Sequence, residues 1–169
     1  MGAWLTEIDR RYSARLRVAE QPGPLRTAAI LFAHSGDSPL WGVALALLWW
    51  RAPAPWNEAA RLAFISVWVT AVVVLAIKFT VRRQRPAGEW GQGYRWLDPH
   101  SFPSGHAARA FMLAVLALAL CPPAWAALVL AWAVLVSLAR VAMGVHYLLD
   151  IAAGAALGGL CGLALLLFR

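Results

Sequence analysis

Apolar positions fill this 169-residue chain in long runs, and the places where the runs stop define its elements. Residues 3–20 are the exception. There Trp4, Leu5, Ile8, Tyr12, Leu16 and Ala19 recur at helical spacing with charges on the opposite face, which predicts an amphipathic helix lying in a membrane interface. Pro22-Gly23-Pro24 ends it. Residues 25–50 are apolar apart from a break at His34-Ser35-Gly36-Asp37-Ser38-Pro39. Unbroken, the segment is long enough to cross a bilayer; split, each half is short, so the pattern admits a kinked span or two short or re-entrant helices. Arg51-Ala52-Pro53-Ala54-Pro55 reads as a connection, and residues 59–81 as an apolar helix running into Lys78, Arg82, Arg83, Arg85 and Pro86. Proline restricts the residue before it, so Pro86 is expected to fix the helix stop.

A polar stretch, 86–103, follows with Gly88, Gly91 and Gly93 among the aromatics Trp90, Tyr94 and Trp96. Three more apolar helices are predicted over 104–120, 124–143 and 146–168, separated by Cys121-Pro122-Pro123 and by Gly144-Val145. The last carries Gly154, Gly158, Gly159 and Gly162, small residues that let membrane helices approach closely. The expected architecture is all-α: one domain over 1–169, a polytopic membrane bundle of about five or six apolar helices (25–169) behind an N-terminal interfacial helix (1–23).

Composition agrees. With 62% hydrophobic residues, 14% charged and a mean hydropathy of +0.64, the chain lies outside the range of soluble domains. Ten tryptophans suit wide membrane–water boundaries. The net charge of +7 comes from fourteen arginines and Lys78 against eight acids, which in a membrane protein points to lipid headgroups and topology rather than nucleic acid. Cys121 and Cys161 show no metal spacing and no disulfide framework, and residues 1–23 lack the apolar core of a cleavable signal.

The order of crossings gathers the polar residues. The helix of 59–81 ends where that of 104–120 begins, so Lys78, Arg85, Ser104 and His106 share one membrane face. Two crossings later Arg140, His146 and Asp150 return to it. A helix N-terminus after Pro103 offers free N–H groups to a phosphate; Ser104 can bind it or cap the helix, and Gly105 lets the backbone come close. Arg140, about a turn inside its helix, calls for an anionic ligand or partner. Lys78 and Arg85 alone would read as snorkelling cations. Arg82, Arg83 and Arg95 read as interfacial, with Arg82 or Arg83 as auxiliary phosphate contacts; Arg109 is ambiguous, and His34 and Asp37 either line the rim of the site or form a plain interfacial turn. His146 and Asp150 stand four apart, so the carboxylate can orient the imidazole as a nucleophile or base. His106 would then protonate a leaving oxygen while the cations hold the phosphoryl oxygens. Asp150 is the only acid expected among these segments, so no magnesium site is visible and the chemistry should need no metal or other cofactor.

Lys78-x6-Arg85-Pro86, Pro103-Ser104-Gly105-His106 and Arg140-x5-His146-x3-Asp150, in that order, resemble the three-part signature of the type 2 phosphatidic acid phosphatase family, to which glucose-6-phosphatase and vanadium haloperoxidases are related. The resemblance spans roughly 60–155 and implies six membrane helices, His146 as the nucleophile forming a phosphohistidine, Asp150 orienting it and His106 as general acid. It implies phosphate binding by Lys78, Arg85, Ser104, Gly105 and Arg140. Ala139 stands where the family often has serine before the arginine, which removes one hydroxyl. The implied substrates are lipid phosphates: polyprenyl diphosphate, phosphatidylglycerol phosphate, phosphatidic acid or lipid A 1-phosphate. The implied place is a bacterial cytoplasmic membrane with the site on the extracytoplasmic side. The basic N-terminal helix, Arg51, Arg61 and Arg169 would then mark the cytoplasmic side if residues 25–50 cross twice. The rivals are a lipid phosphotransferase of the same family and a non-enzymatic anion or lipid transporter.

Overall fold

Pro24 in the first turn of one helix and Pro39 in the first turn of the next, with Gly36 closing the helix between them, divide the 25–50 segment in two. In the computed structural model, which describes residues 3–88, 90 and 98–168, the helices are α1 (Ala3–Arg15), α2 (Pro24–Ser35), α3 (Ser38–Arg51), α4 (Trp56–Val81), α5 (Gly105–Leu120), α6 (Pro123–Ala142) and α7 (Leu148–Leu166). Gly91, Gly93, Tyr94, Arg95, Trp96 and Arg169 lie outside the described residues. Among the described residues the one β pairing is an isolated bridge between Gln84 and His100.

The two halves of 25–50 run on in one direction. Ala29 and Ala33 of α2 pack with Ala139 and Met143 at the end of α6. Ser35 accepts a hydrogen bond from the Trp132 indole deeper in α6 (2.9 Å), Trp41 stacks on Trp132, and Leu45 joins Ala63 and Leu113 deeper still. Trp49 reaches Phe64 near the far face. At about 1.5 Å per residue neither half spans a hydrocarbon core of about 30 Å, but both together do. The segment is therefore a single broken crossing. With α4, α5, α6 and α7 the described residues hold six apolar helices, within the expected five or six, and the broken segment makes these five crossings.

α4, α6 and α7 are long and apolar enough to cross, and Leu128, Leu138, Leu160 and Leu163 point outward as a lipid-facing surface requires. Trp50, Trp56 and Trp125 lie exposed at the far ends of α3, α4 and α6, a belt at one interface. The protein is an integral membrane protein.

The predicted glycine stripe sets the tightest packing. A Cβ on Gly158 would sit 2.0 Å from the Ala108 carbonyl oxygen and one on Gly154 2.5 Å from that of Ser104, so α7 lies directly on α5. Gly159, on the other side, has nothing within 4 Å and takes no part. This contact brings the start of α7 beside the start of α5, and the Ser104 N–H donates to the Asp150 carbonyl oxygen at 2.9 Å.

Two boundaries differ from expectation. α4 ends at Val81, before Pro86 can act, because Arg82 turns into the left-handed region (φ 52°) and its Nε donates to the Phe79 carbonyl. α1 stops at Arg15 and lies on the site face: Asp9 and Ser13 dock on the start of α7 while Trp4, Leu5, Tyr12 and Leu16 stay exposed, as an interfacial helix requires. α1 and Arg51 are consequently on opposite faces, because 25–50 crosses once. The basic N-terminus does not mark the face away from the site.

Candidate active site

Six of the eight predicted site residues line one cavity of about 190 Å³: Lys78, Arg85, Gly105, His106, Arg140 and His146. Ser104 and Asp150 lie directly behind it, fully buried. A larger cavity of about 670 Å³ opens at the far face, among Pro55, Arg61, Leu120 and Phe168, and gathers no comparable charge. Volume is no guide here; the concentration of buried cations is.

Local structure explains each placement. Ser104, extended at the start of α5, caps the helix by accepting from the Ala107 N–H at 3.4 Å, the second of the two roles open to it. Gly105, next in line, leaves the cavity wall bare; a Cβ there would make only ordinary contact with Val74, so packing does not demand glycine. Between α6 and α7 the N–H groups of Val145 and His146 both donate to the Arg140 carbonyl (3.1 and 3.3 Å), with Gly144 at φ 65°. That turn needs a left-handed residue, which glycine supplies without strain.

His146 sits in this turn, ahead of α7 rather than on it. Its Nε2 is 3.1 Å from Arg85 Nη1, which donates, so the ring's proton belongs on Nδ1. Nδ1 faces Asp150 Oδ2 at 3.5 Å without a formed hydrogen bond, and that oxygen accepts from the Tyr147 N–H at 2.9 Å. The tight orienting bond expected of an i, i+4 pair on one helix is absent, since His146 precedes the helix. Burial, then the cationic neighbours Arg85, Arg140 and Lys78, push the His146 pKa well below the ordinary 6.5. The imidazole is therefore neutral at neutral pH.

Sequence reasoning missed Asp98 and left the parts of Asp37 and Arg83 unassigned, and these three complete the geometry. Asp98 Oδ2 bridges Lys78 Nζ (2.7 Å) and Arg85 Nη2 (2.8 Å), a carboxylate where an anion would sit. Asp37, at the α2–α3 break, places Oδ1 2.8 Å from His106 Nε2 and Oδ2 3.0 Å from His34 Nδ1. The break is therefore part of the site, and Asp150 is not its only acid. Arg83 is no interfacial cation: its side chain is 9% exposed, with Nη1 2.7 Å from Asp150 Oδ1 and Nη2 2.6 Å from Asp9 Oδ2. It also stacks on the Tyr147 ring at 4.2 Å. Arg82, by contrast, is exposed, as an interfacial residue would be. Among the described residues no group of three or more His, Cys, Asp or Glu side chains is arranged to hold a metal ion.

Residues 59–169, two thirds of the chain and all three motifs, match the family model described as PAP2 superfamily. The chain belongs to the PAP2 superfamily. Two solved structures share its architecture. Aquifex aeolicus LpxE superimposes with a TM-score of 0.71 at 25% identity, over 90% of this chain and 93% of that one. The first transmembrane PAP2 type phosphatidylglycerolphosphate phosphatase from Bacillus subtilis gives 0.76 at 23% identity, over 99% of this chain and 87% of that one; at that identity the likeness speaks for the fold.

In this PAP2 protein the first motif is positioned by two zipped loops. The Ser101 N–H donates to the Arg83 carbonyl (2.8 Å), its hydroxyl donates to the Gln84 carbonyl (3.2 Å), and Gln84 pairs with His100. Arg85 is thereby turned inward, where Nε donates to the Asp98 carbonyl and Nη1 to that of Val145. The N-terminal helix belongs to the same construction. Ser13 Oγ accepts from the Leu148 N–H (2.9 Å) and Asp9 Oδ1 from the Leu149 N–H (3.0 Å), so α1 caps the helix that carries Asp150. The matched region begins at residue 59, and α1 lies before it.

Proposed function

We propose that this protein is a membrane lipid phosphatase that removes the terminal phosphate from a lipid phosphate or diphosphate through a phosphohistidine on His146, without a metal ion. The observation that carries this reading is the single cavity in which Lys78, Arg85 and Arg140 surround His146 and His106. An incoming phosphoryl group draws Lys78 and Arg85 from Asp98 and, with Arg140 and the start of α5, spreads its charge over fixed donors. Arg85 then releases Nε2 of His146, whose lone pair attacks phosphorus. The Nδ1 proton faces Asp150, which offsets the positive charge on the ring as the N–P bond forms. His106, held by Asp37 at 2.8 Å, gives a proton to the leaving lipid oxygen and afterwards takes one from the water that breaks the N–P bond.

The apolar Ala71, Val74 and Leu75 of α4 also line the cavity, and Leu75 is half exposed on the outer surface. A substrate whose tail stays in the bilayer fits this wall, which favours a lipid over a soluble phosphate. Polyprenyl diphosphate, phosphatidylglycerol phosphate, phosphatidic acid and lipid A 1-phosphate are the candidates.

For location we propose a bacterial cytoplasmic membrane with the site extracytoplasmic, as the family resemblance implies. The arginines of α1, which lie on the site face, favour the reverse. A cysteine placed in the exposed position of Arg10 and labelled by an impermeant reagent in intact cells decides the matter: labelling supports the proposal, protection reverses it.

The assay is phosphate release from these lipids in detergent with a chelator present. Release abolished in His146→Ala supports the reading. Release that requires magnesium overturns the metal-free step, transfer to a second lipid identifies a phosphotransferase, and anion flux without release identifies a transporter.

A further inference from the structure

Arg109 lines the same cavity as the reacting histidines, one turn beyond His106 and about 4.5 Å further along α5 towards the middle of the bilayer. It is 6% exposed. Among the described residues its guanidinium hydrogen-bonds to neutral acceptors: Nε and Nη2 donate to the Gly36 carbonyl (2.9 and 2.5 Å) and Nη1 to Ser38 Oγ. Among the described residues no carboxylate pairs with it, and the Asp37 carboxylate at this break is engaged by His106 and His34. A neutral donor would satisfy a carbonyl as well. Asp37 acts on Arg109 only through space, as a charge it also gives to His106 and His34, so a strut for the helix break leaves this buried guanidinium incompletely compensated.

The opposite wall supplies a second, independent observation. Thr70, two turns below Lys78 on α4, is 1% exposed, and its hydroxyl has no hydrogen-bond partner among the described residues although it lines the cavity. Hydroxyls on a helix usually bond back to the preceding turn. On this same helix Ser66 does so with Leu62 (2.7 Å) and Thr80 with Ala76 (2.8 Å). Thr70 does not.

We propose that Arg109 and Thr70 form a second anion subsite that holds the phosphate remaining on the lipid when the terminal phosphate of a lipid diphosphate is transferred. The inference rests on the phosphatase reading and narrows its substrate class to diphosphates. His146 Nε2 forms a bond to the terminal phosphorus, and the bond from that phosphorus to the bridging oxygen breaks. The electron pair and a proton from His106 go to that oxygen, leaving a lipid monophosphate whose charge Arg109 offsets. Water then cleaves the phosphohistidine, releasing inorganic phosphate and restoring the proton to His106. A monophosphate substrate leaves as an alcohol and gives Arg109 nothing to hold.

The test compares farnesyl diphosphate with farnesyl monophosphate, which share one tail, on wild type, Arg109→Gln and Thr70→Val. Gln retains donors for Gly36 and Ser38; Val retains the shape of threonine. The wild type is expected to show kcat/KM at least tenfold higher for the diphosphate. Arg109→Gln should lose about 100-fold on the diphosphate and less than tenfold on the monophosphate, and Thr70→Val should shift the same ratio about threefold. Equal losses on both lipids, or no preference in the wild type, overturn the subsite. Should the wild type hydrolyse neither lipid, the phosphatase reading fails while the subsite is still judged by binding. Inorganic pyrophosphate binding tenfold tighter than phosphate, with the gap closed in Arg109→Gln, upholds it, and equal affinities overturn it.

Discussion

Replacing Asp9 tests whether the N-terminal helix is part of the catalytic construction. Asp9 Oδ2 holds Arg83 at 2.6 Å and Oδ1 accepts the Leu149 N–H at 3.0 Å, with 3% of the side chain exposed. Asp9→Ala removes one partner of a buried ion pair, a change that costs roughly 3–5 kcal/mol, and a helix cap of about 1 kcal/mol. One carboxylate does both jobs, so the costs overlap and about 3–4 kcal/mol is the working figure. For a chain of this length each kcal/mol moves Tm by about 2–4 °C, which makes a drop on the order of 10 °C in detergent. Asp9→Asn keeps an acceptor for Leu149 but loses the charge, and should fall about halfway. Catalysis should change in a particular way. Arg83, left with Asp150 alone, no longer fixes that carboxylate against His146, so kcat should fall about tenfold with KM within a factor of two. The assay is steady-state phosphate release alongside a thermal melt of the same preparations. A rise in KM at constant kcat would instead make Arg83 a phosphate ligand, and an unchanged melt with unchanged kcat would refute the coupling altogether.

Other consequences are as direct. Gly158→Ala drives a methyl into the Ala108 carbonyl and should cost on the order of 3 kcal/mol or more, whereas Gly159→Ala meets nothing and should be neutral or slightly stabilising; melts of the pair check this. Asp98→Asn removes the carboxylate seated on Lys78 and Arg85, so vanadate should inhibit at about threefold to tenfold lower concentration, read from inhibition curves. The His146 pKa is depressed on folding, so the unfolded chain takes up a proton there that the folded one refuses. Its contribution to stability is therefore complete above the unfolded value near 6.5 and declines as pH falls below it, by at most about 1.4 kcal/mol per unit. Melts between pH 7.5 and 5.5 should show this slope in the wild type and a shallower one in His146→Ala.

The sequence made the crossings legible because a bilayer leaves few ways to satisfy a backbone, and apolar runs with prolines and glycines at their ends mark those ways. The shared face of Lys78, His106 and His146 followed from counting turns. What stayed hidden depends on side-chain direction. Three arginines within four positions are indistinguishable by type, and the left-handed turn that sends Arg82 outward and Arg83 inward occurs without a glycine to announce it. The role of Asp37 depended on whether 25–50 crosses once, which length alone left open. The polar pair Asp9 and Ser13, four apart on an otherwise amphipathic helix, was a readable signal for docking. Its partner lies some 140 residues away, and only the fold brings them together.

The most direct measurement is a rapid quench with lipid labelled in its terminal phosphate, in the presence of chelator. The account predicts a protein-bound label, stable to alkali and lost in acid, that maps to His146, is absent in His146→Ala and accumulates when His106 is replaced by alanine and the substrate has a good leaving group. Full turnover with no such label, or a label mapping to another residue, would contradict it.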